Sequence, residues 1–208
     1  MEVLAAVTLD AGYFRDVYAA SPDPYGLAER WYEARKYAVS LALLPRQRYG
    51  AVFEPGCSIG VLTGLLAARC DDLLACDAVP DAVASAKART AGLPGVRVER
   101  RRLPAEWPAE SFDLVVFSEI LYYFGDADFD QVLSLGVAAL RPAGQLLAVH
   151  WRHPAPDNPR TGDQVHTRLA GDQRLARLAR YRDPDFTAEV YTRADGDRRS
   201  VAQAGGIV

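Results

Sequence analysis

The pattern of apolar and polar positions changes its period repeatedly along the chain. From residue 49 onward, short apolar runs are separated by stretches in which apolar residues recur at helical spacing. This alternation predicts a parallel, doubly wound sheet with helices on its faces. The predicted strands are 51–54, 73–77, 96–100, 113–117 and 145–150, and the predicted helices between them are 60–69, 80–91 and 127–140.

The N-terminal segment shows helical patterns before the first strand begins. A Ser-Pro-Asp-Pro break separates a short first helix from a longer, aromatic-rich helix that is predicted to start near Gly26. A chain of 208 residues, 50% of them hydrophobic, is long enough for one sizeable core. We therefore predict a single domain, with residues 1–48 as N-terminal helices and 49–208 as the α/β core.

The C-terminal third carries weaker patterns. A helical pattern covers 163–181, the stretch 185–193 alternates like a sixth strand, and 199–205 is a candidate for a short seventh strand. The arginines of the helical stretch recur every third residue, and a solvated helix face is the simplest interpretation, with contact to an anionic substrate as the alternative. These arginines are Arg174, Arg177 and Arg180.

Charge and cysteine content limit the classes of partner. The formal net charge of -3 argues against a general attraction to nucleic acid or anionic membranes. Three cysteines without the spacing of metal ligands fit reduced thiols better than a disulfide framework. The first residues do not resemble a signal peptide, and no stretch is apolar enough to span a bilayer. We expect a cytoplasmic protein that binds neither nucleic acid nor membranes and holds no metal.

The stretch AVFEPGCSIG, residues 51–60, runs from an apolar strand into a tight turn and then into a helix. Such a turn leaves backbone N–H groups unpaired at the helix start, where α/β folds bind their ligands. The turn contains Gly56, Cys57, Ser58 and Gly60, and it lacks the G-x-G-x-x-G triplet of dinucleotide-binding folds. An ordinary strand–helix turn without a ligand is the alternative.

Two carboxylates accompany this turn at the ends of the first two strands. Glu54 precedes the turn and suits a ligand with an ammonium group, which the methionine part of S-adenosylmethionine presents. Asp77 ends the second strand, where a carboxylate can accept hydrogen bonds from both hydroxyls of a ribose. Together with the turn, these residues favour S-adenosylmethionine over a nicotinamide dinucleotide.

The fourth and fifth strands end in polar side chains at the same predicted edge. Ser118 and Glu119 end the fourth strand, and Glu119 stands inside an apolar run, where a carboxylate is costly to bury without a partner. The residues that follow, Ile120 to Phe124, read mainly as core and covering residues. His150 ends the fifth strand, where it could accept a proton near neutral pH or serve as a hydrogen-bonded structural residue.

Four stretches together resemble the NodS-like nodulation N-methyltransferases, within the class I S-adenosylmethionine-dependent methyltransferases. They are DPYGLAERWYEARKY, FEPGCSIGVLT, SEILYYF and AVHWRHP with TGDQVH after it. The resemblance covers most of the chain. It implies a Rossmann-like, mostly parallel seven-stranded sheet with N-terminal lid helices, and N-methylation of an amino sugar, in nodulation a deacetylated chitooligosaccharide.

The resemblance also assigns cofactor contacts. It implies that Arg35 holds the cofactor's carboxylate, that Gly56 and its neighbours hold the methionine end, and that Asp77, with Ala78 after it, holds the ribose. The residues that border adenine in this assignment are Arg102 and Leu103.

Three positions depart from the family pattern. Ser58 replaces the central glycine of the common loop, and its small side chain still allows a ligand to approach. Arg102 replaces an acid that binds the adenine amino group in many class I enzymes, which leaves the contact to the backbone of Leu103. Tyr25 replaces the usual tryptophan and forms a smaller aromatic wall.

For the acceptor side we expect Glu119 to bind and orient the amine, His150 to help take up its proton, and Tyr123 and Trp151 to wall the space. Methylation of a hydroxyl or thiol on another small metabolite stays open. A nicotinamide-dependent oxidoreductase is disfavoured by the missing glycine triplet. A non-catalytic S-adenosylmethionine-binding or nucleic-acid-binding module is a third, less favoured alternative. DNA methylation is disfavoured by the acidic balance and by the absence of an N/D-P-P-Y/W motif after the fourth strand.

Overall fold

A seven-stranded sheet forms the centre of the protein in a computed structural model that describes residues 7–196 and 198–208. The strands are β1 (Tyr49–Pro55), β2 (Cys70–Asp77), β3 (Val96–Arg100), β4 (Phe112–Ser118), β5 (Leu140–Trp151), β6 (Leu175–Arg182) and β7 (Phe186–Arg193). The helices are α1 (Ala11–Ala20), α2 (Trp31–Leu43), α3 (Val61–Ala67), α4 (Pro80–Arg89), α5 (Asp126–Ala138), α6 (Gly162–Gly171) and α7 (Val201–Ala204), and a 3₁₀ turn covers Leu121–Tyr123.

The order of the strands is β3-β2-β1-β4-β5-β7-β6. The first five strands in this order pair in parallel, and β7 runs antiparallel to both of its neighbours. The chain turns from one half of the sheet to the other between β1 and β4, and open α/β sheets bind ligands beside the carboxyl ends of the strands at such a point. The predicted Rossmann-like, mostly parallel sheet is confirmed.

Both faces of the central strands are buried, which explains their continuous apolar runs. Phe53 and Phe117 point to one side, where they pack with Phe129 of α5. Val52 and Leu114 point to the other side, where α2 and α3 cover them. The cysteines Cys57, Cys70 and Cys76 are buried and free.

The predicted helix at 163–181 is wrong beyond Gly171, because Leu175–Arg182 forms β6. The three-residue recurrence of arginine has another origin. The pairing of β6 with β7 shifts register between Arg177 and Ala179. This bulge inserts one residue, so Arg177 and Arg180 lie on the same face of the strand. The predicted solvated helix face therefore does not exist.

Two other elements also differ from the prediction, one in type and one in its start. Residues 201–204 form α7, not a strand, because Ser200 and Gln203 make a reciprocal capping box at its start. The second N-terminal helix begins at Trp31, not near Gly26. The residues before it form turns in which the Asp23 carboxylate accepts the N–H groups of Leu27 and Ala28.

Candidate active site

A cavity of about 590 Å³ opens at the carboxyl ends of β1, β2 and β4, beneath α1 and the turns before α2. It is within the size range of small-molecule sites. Most of the predicted site residues line it, namely Tyr25, Glu54, Gly56, Cys57, Ser58, Asp77, Ala78, Arg102, Leu103, Ser118, Glu119 and Tyr123. In the described part of the chain, three predicted residues lie outside this lining: Arg35, Gly60 and His150.

The turn after β1 is shaped by its glycines. Gly56 has a φ of +73°, and a Cβ there would stand 2.7 Å from Ile120 Cδ1. Gly60 has a φ of +79° and lies against Ala86 of α4, so its role is to let α3 and α4 pack closely. Ser58 adopts a φ of 50° in the same turn, a conformation that favours glycine. Its hydroxyl is hydrogen bonded to that of Tyr18 on α1.

Glu54 lies at the floor of the cavity and is only 2% exposed. Among residues 7–196 and 198–208, its Oε2 atom has no hydrogen-bond partner. Burial raises the pKa of Glu54 to about 8, and the nearby Asp77 adds to the rise. A buried carboxylate without a partner is costly, so the site favours a ligand that brings a positively charged donor.

Asp77 is positioned by the backbone of the turn on each side of it. Its Oδ2 accepts the N–H of Ser58 at 3.0 Å, and its Oδ1 accepts the N–H of Val79 at 2.9 Å. Burial raises the pKa of Asp77, while these hydrogen bonds oppose the rise. A carboxylate has about four acceptor positions, so this fixed side chain can still accept two ligand hydroxyls.

Arg102 and Leu103 form a second end of the cavity, beyond β3. The Arg102 guanidinium and backbone N–H both bind the Glu106 carboxylate, at 3.2 and 2.7 Å. This local pairing holds the backbone of the loop in place. Leu103 packs against the core and presents an apolar surface to the cavity.

Glu119 ends β4 in a left-handed conformation with a φ of 55°. Its Oε1 accepts Lys36 Nζ at 2.8 Å, and its Oε2 accepts the Tyr122 hydroxyl at 2.5 Å and the Trp151 N–H at 2.9 Å. The expected partner of this carboxylate is thus a lysine of α2. Backbone conformations of this kind in non-glycine residues are concentrated at functional sites.

Lys36 and Glu33 line the cavity, although the sequence analysis did not select them. Lys36 Nζ lies 2.9 Å from Glu33 Oε2, and both side chains are more than nine-tenths buried. Burial alone would lower the pKa of Lys36, but Glu119 and Glu33 raise it above its ordinary value. The i,i+3 spacing of these residues beside aromatic neighbours in WYEARKY was the available signal.

Arg35 points away from the cavity. Its guanidinium pairs with Asp183 at 2.7 Å and donates to the Tyr181 hydroxyl. Adjacent residues of a helix point about 100° apart, so Lys36 faces the cavity while Arg35 faces the end of β6. The geometry does not bring Arg35 to the predicted carboxylate site.

His150 is fully buried behind the cavity wall. Its Nε2 accepts the N–H of Leu121 at 3.3 Å, and its Nδ1 lies 3.3 Å from His166 Nε2. Burial holds the pKa of His150 well below its ordinary value. The geometry fits a neutral structural residue that supports the 3₁₀ turn, and it corrects the expectation of a proton acceptor at the cavity.

Tyr123 belongs to this 3₁₀ turn and forms part of the cavity wall. Its ring packs edge-on against Phe14 of α1 at 4.9 Å and against Tyr122 at 4.6 Å. Burial raises the pKa of Tyr123, so its hydroxyl stays protonated near neutral pH. Tyr25 packs in the same covering layer, 6.2 Å from Tyr18.

In the described ranges, no group of three or more His, Cys, Asp or Glu side chains is arranged to hold a metal ion. Within the same ranges, no helix is long and apolar enough to cross a membrane.

The sequence matches the family model described as Nodulation protein S (NodS) over residues 14–153. The chain belongs to the NodS family. Nodulation protein S of Rhizobium tropici is 32% identical over 133 residues, which cover 62% of this chain and 55% of that protein. The protein of the same name from Bradyrhizobium diazoefficiens is 32% identical over 108 residues, or 51% and 52% of the two chains. The chain thus spans about half the length of these curated NodS relatives.

Two similar solved structures cover a larger part of this NodS-family chain than the curated relatives do. A Pseudomonas syringae protein assigned as a methyltransferase is 47% identical, with a TM-score of 0.70 over 79% of this chain and 100% of that one. The N-methyltransferase NodS from Bradyrhizobium japonicum WM9, in complex with S-adenosyl-L-homocysteine, is 25% identical, with a TM-score of 0.79 over 88% and 98%. The predicted family is confirmed.

Proposed function

We propose that this protein transfers the methyl group of S-adenosylmethionine to the amine of a small molecule, an amino sugar or a deacetylated chitooligosaccharide. The observation that carries the proposal is the pair of carboxylates, Glu54 and Asp77, in one cavity of a NodS-family fold. The NodS structure with bound S-adenosyl-L-homocysteine supports the same cofactor class. The expected cytoplasmic location belongs to this proposal.

The residues present fit the cofactor. The unpartnered Oε2 of Glu54 can accept its ammonium group, and Asp77 can accept its ribose hydroxyls. The absence of a side chain at Gly56 leaves backbone open to the ligand between them. Arg102 and Leu103 border the adenine end. The segment 7–48 contributes Tyr18 and Tyr25 to the wall, which supports a covering role for the N-terminal helices.

S-adenosylmethionine, when bound, supplies an activated methyl group on a sulfonium. The protein's own residues then orient the acceptor and exclude water, since proximity accounts for much of the acceleration in such transfers. Glu119 orients the acceptor amine from the end of β4. Tyr123 and Trp151 wall the space around it. His150 contributes by supporting the 3₁₀ turn that carries Tyr123.

Two measurements test the proposal. Calorimetry is expected to show binding of S-adenosyl-L-homocysteine and no binding of nicotinamide dinucleotides, and the reverse result would contradict it. A methyl-transfer screen with product mass detection then covers glucosamine, short deacetylated chitooligosaccharides and other amino sugars. Transfer to hydroxyl or thiol acceptors alone would contradict the amine assignment and leave the cofactor assignment intact.

Cofactor binding is expected to strengthen as the pH rises from about 6 to about 8. In the free protein the pKa of Glu54 is about 8, above its ordinary value of 4.5, so the folded state holds an extra proton between these values. The stability that the protonated Glu54 gives the folded state is fully present below pH 4.5 and is lost as the pH rises through about 8. An ammonium ligand favours the ionised form, so binding releases that proton.

Calorimetry of S-adenosyl-L-homocysteine binding in two buffers of different ionisation enthalpy measures the proton release. The Glu54→Gln variant cannot release it and is expected to bind more weakly, with an affinity that depends less on pH. Equal proton release by this variant and the unaltered protein would remove Glu54 from the ammonium site.

Asp77→Ala is expected to weaken S-adenosyl-L-homocysteine binding about tenfold to a hundredfold, because two hydroxyls lose a charged acceptor. Asp77→Asn keeps one acceptor oxygen, so its affinity is expected to lie between those of the unaltered protein and Asp77→Ala. The control is Asp72→Ala, which removes an exposed carboxylate from the same strand, where it pairs with Arg97. An unchanged dissociation constant for Asp77→Ala would place the ribose elsewhere.

A further inference from the structure

A cluster of three charged side chains lies at the acceptor end of the cavity. Lys36 stands between two carboxylates, with its Nζ 2.9 Å from Glu33 Oε2 and 2.8 Å from Glu119 Oε1. The Lys36 and Glu33 side chains are 3% and 8% exposed, and that of Glu119 is 20% exposed. The cluster joins the first turns of α2 to the end of β4.

The charges of the cluster do not balance. Two carboxylates face one ammonium, so the cluster carries one uncompensated negative charge when both carboxylates are ionised. Burial raises the pKa of Glu33, and Lys36 opposes this rise. Water screens charges poorly in a partly buried site, so this charge attracts a cation more strongly than a carboxylate on the surface would. The tyrosines around it, Tyr32, Tyr37 and Tyr122, all have pKa values raised by burial and stay neutral.

A buried hydroxyl beside the cluster lacks a hydrogen bond. Glu33 Oε2 has Lys36 Nζ as its ion-pair partner at 2.9 Å, whereas the Tyr32 hydroxyl has no hydrogen-bond partner in the described part of the chain. Both residues line the cavity. The Tyr32 ring stands edge-on to Trp151 at 5.0 Å, so aromatic side chains also face this space. An unpartnered hydroxyl and aromatic faces together suit a cationic ligand.

We propose that the Glu33–Lys36–Glu119 cluster is the binding site for the positively charged amine of the acceptor, with Glu33 and Glu119 as its carboxylates. Lys36 is a positioning residue, because it holds Glu119 Oε1 and limits the charge of the site to one negative unit. This inference rests on the proposed function. The protonated amine gives one proton to Glu119 or to water before its nitrogen attacks, and the nitrogen becomes positively charged again as it takes the methyl group. A hydroxyl acceptor carries no positive charge before or after the transfer, so the uncompensated charge selects nitrogen over oxygen acceptors.

The test measures binding to the protein saturated with S-adenosyl-L-homocysteine. The probes are glucosamine, at a pH at which its amine is protonated, and N-acetylglucosamine, which carries no charge there. The unaltered protein is expected to bind glucosamine about tenfold or more tightly than N-acetylglucosamine, as charge-assisted hydrogen bonds imply. Glu33→Gln and Glu119→Gln each make the cluster neutral and are expected to remove most of this preference.

A double variant separates charge from packing. Glu33→Gln combined with Lys36→Met restores one net negative charge, carried by Glu119, and is expected to recover the preference for glucosamine that Glu33→Gln loses. A purely structural role would make the double variant worse than the single one. Glu29→Gln is the matched control, because it removes an exposed carboxylate of the same segment. It should keep the full preference.

The outcomes separate the two proposals. Loss of S-adenosyl-L-homocysteine binding by the unaltered protein would contradict the proposed function. Intact cofactor binding without a preference for glucosamine would overturn the inference alone, as would a Glu33→Gln variant that behaves like the unaltered protein. A double variant that stays at the level of Glu33→Gln would overturn the role given to Lys36.

Discussion

Replacing Glu119 with alanine is expected to slow methyl transfer about 10²–10⁴-fold, within the range of a positioned acid–base group. The expected loss is in kcat as well as in acceptor KM, because in the proposed function Glu119 both orients the amine and accepts a proton. Lys36 keeps Glu33 as its partner in this variant, so no buried ammonium is left unpaired. The affinity for S-adenosyl-L-homocysteine should therefore stay close to that of the unaltered protein.

The rate is measured with the best acceptor from the amino-sugar screen, over a range of pH values. Glu119→Gln keeps the shape of the side chain and an acceptor oxygen for the Trp151 N–H, so its cofactor site should be unchanged. Glu110→Ala, which removes an exposed carboxylate, serves as the control. Unaltered rates and pH profiles in both Glu119 variants would mean that proximity alone accounts for the transfer.

Replacing Glu189 with alanine is expected to lower the free energy of unfolding by about 3–5 kcal/mol, the usual cost of removing one partner of a buried ion pair. Glu189 is 1% exposed and lies in the centre of β7. Its carboxylate accepts His166 Nδ1 at 2.7 Å, the Tyr191 hydroxyl at 2.6 Å and Arg177 at 2.9 Å. When Glu189 is removed, the exposed Arg177 and Arg180 side chains can turn to water, which reduces the cost. The buried His166 cannot do so and loses its partner. We therefore expect a loss near the lower end of that range.

Denaturant unfolding monitored by circular dichroism measures this change. Arg177→Ala should cost much less than Glu189→Ala, because its side chain is 41% exposed and its ion pair is partly screened. A surface control is Glu110→Ala, for which about 0–1 kcal/mol is expected. If Glu189→Ala were as stable as this control, the buried network would not contribute to stability.

The part of the cavity with the proposed cofactor residues could be predicted from local sequence. Glu54, the Gly56 turn and Asp77 all lie at or just after the carboxyl ends of buried strands, and parallel strands bring those ends to one edge. Their positions in the cavity follow from chain order and sheet topology alone. The helices before β1 could also be predicted from the helical spacing of their apolar residues. The start of the second helix at Trp31 could not, because it depends on turns stabilised by the Asp23 side chain.

The C-terminal strands were less predictable because a local period can have two origins. The arginines at 177 and 180 recur at helical spacing, yet a bulge in β6 brings them to one side of a strand. The bulge forms where β6 pairs with β7, and Glu189 of β7 binds both Arg177 and Arg180. No window of sequence that stops short of β7 contains this information.

By itself, the sequence determined the parallel sheet, the ligand-binding edge, the family and the residues at the strand ends. Only the tertiary structure decided which side chains face the cavity. Lys36 faces it while Arg35 turns to Asp183, and Trp151 faces it while His150 is buried against His166. The physical reason is that both faces of the sheet and much of α2 are covered, so hydrophobic periodicity does not distinguish one buried side from the other. The choice depends on how α2 and α6 dock, which long-range contacts determine.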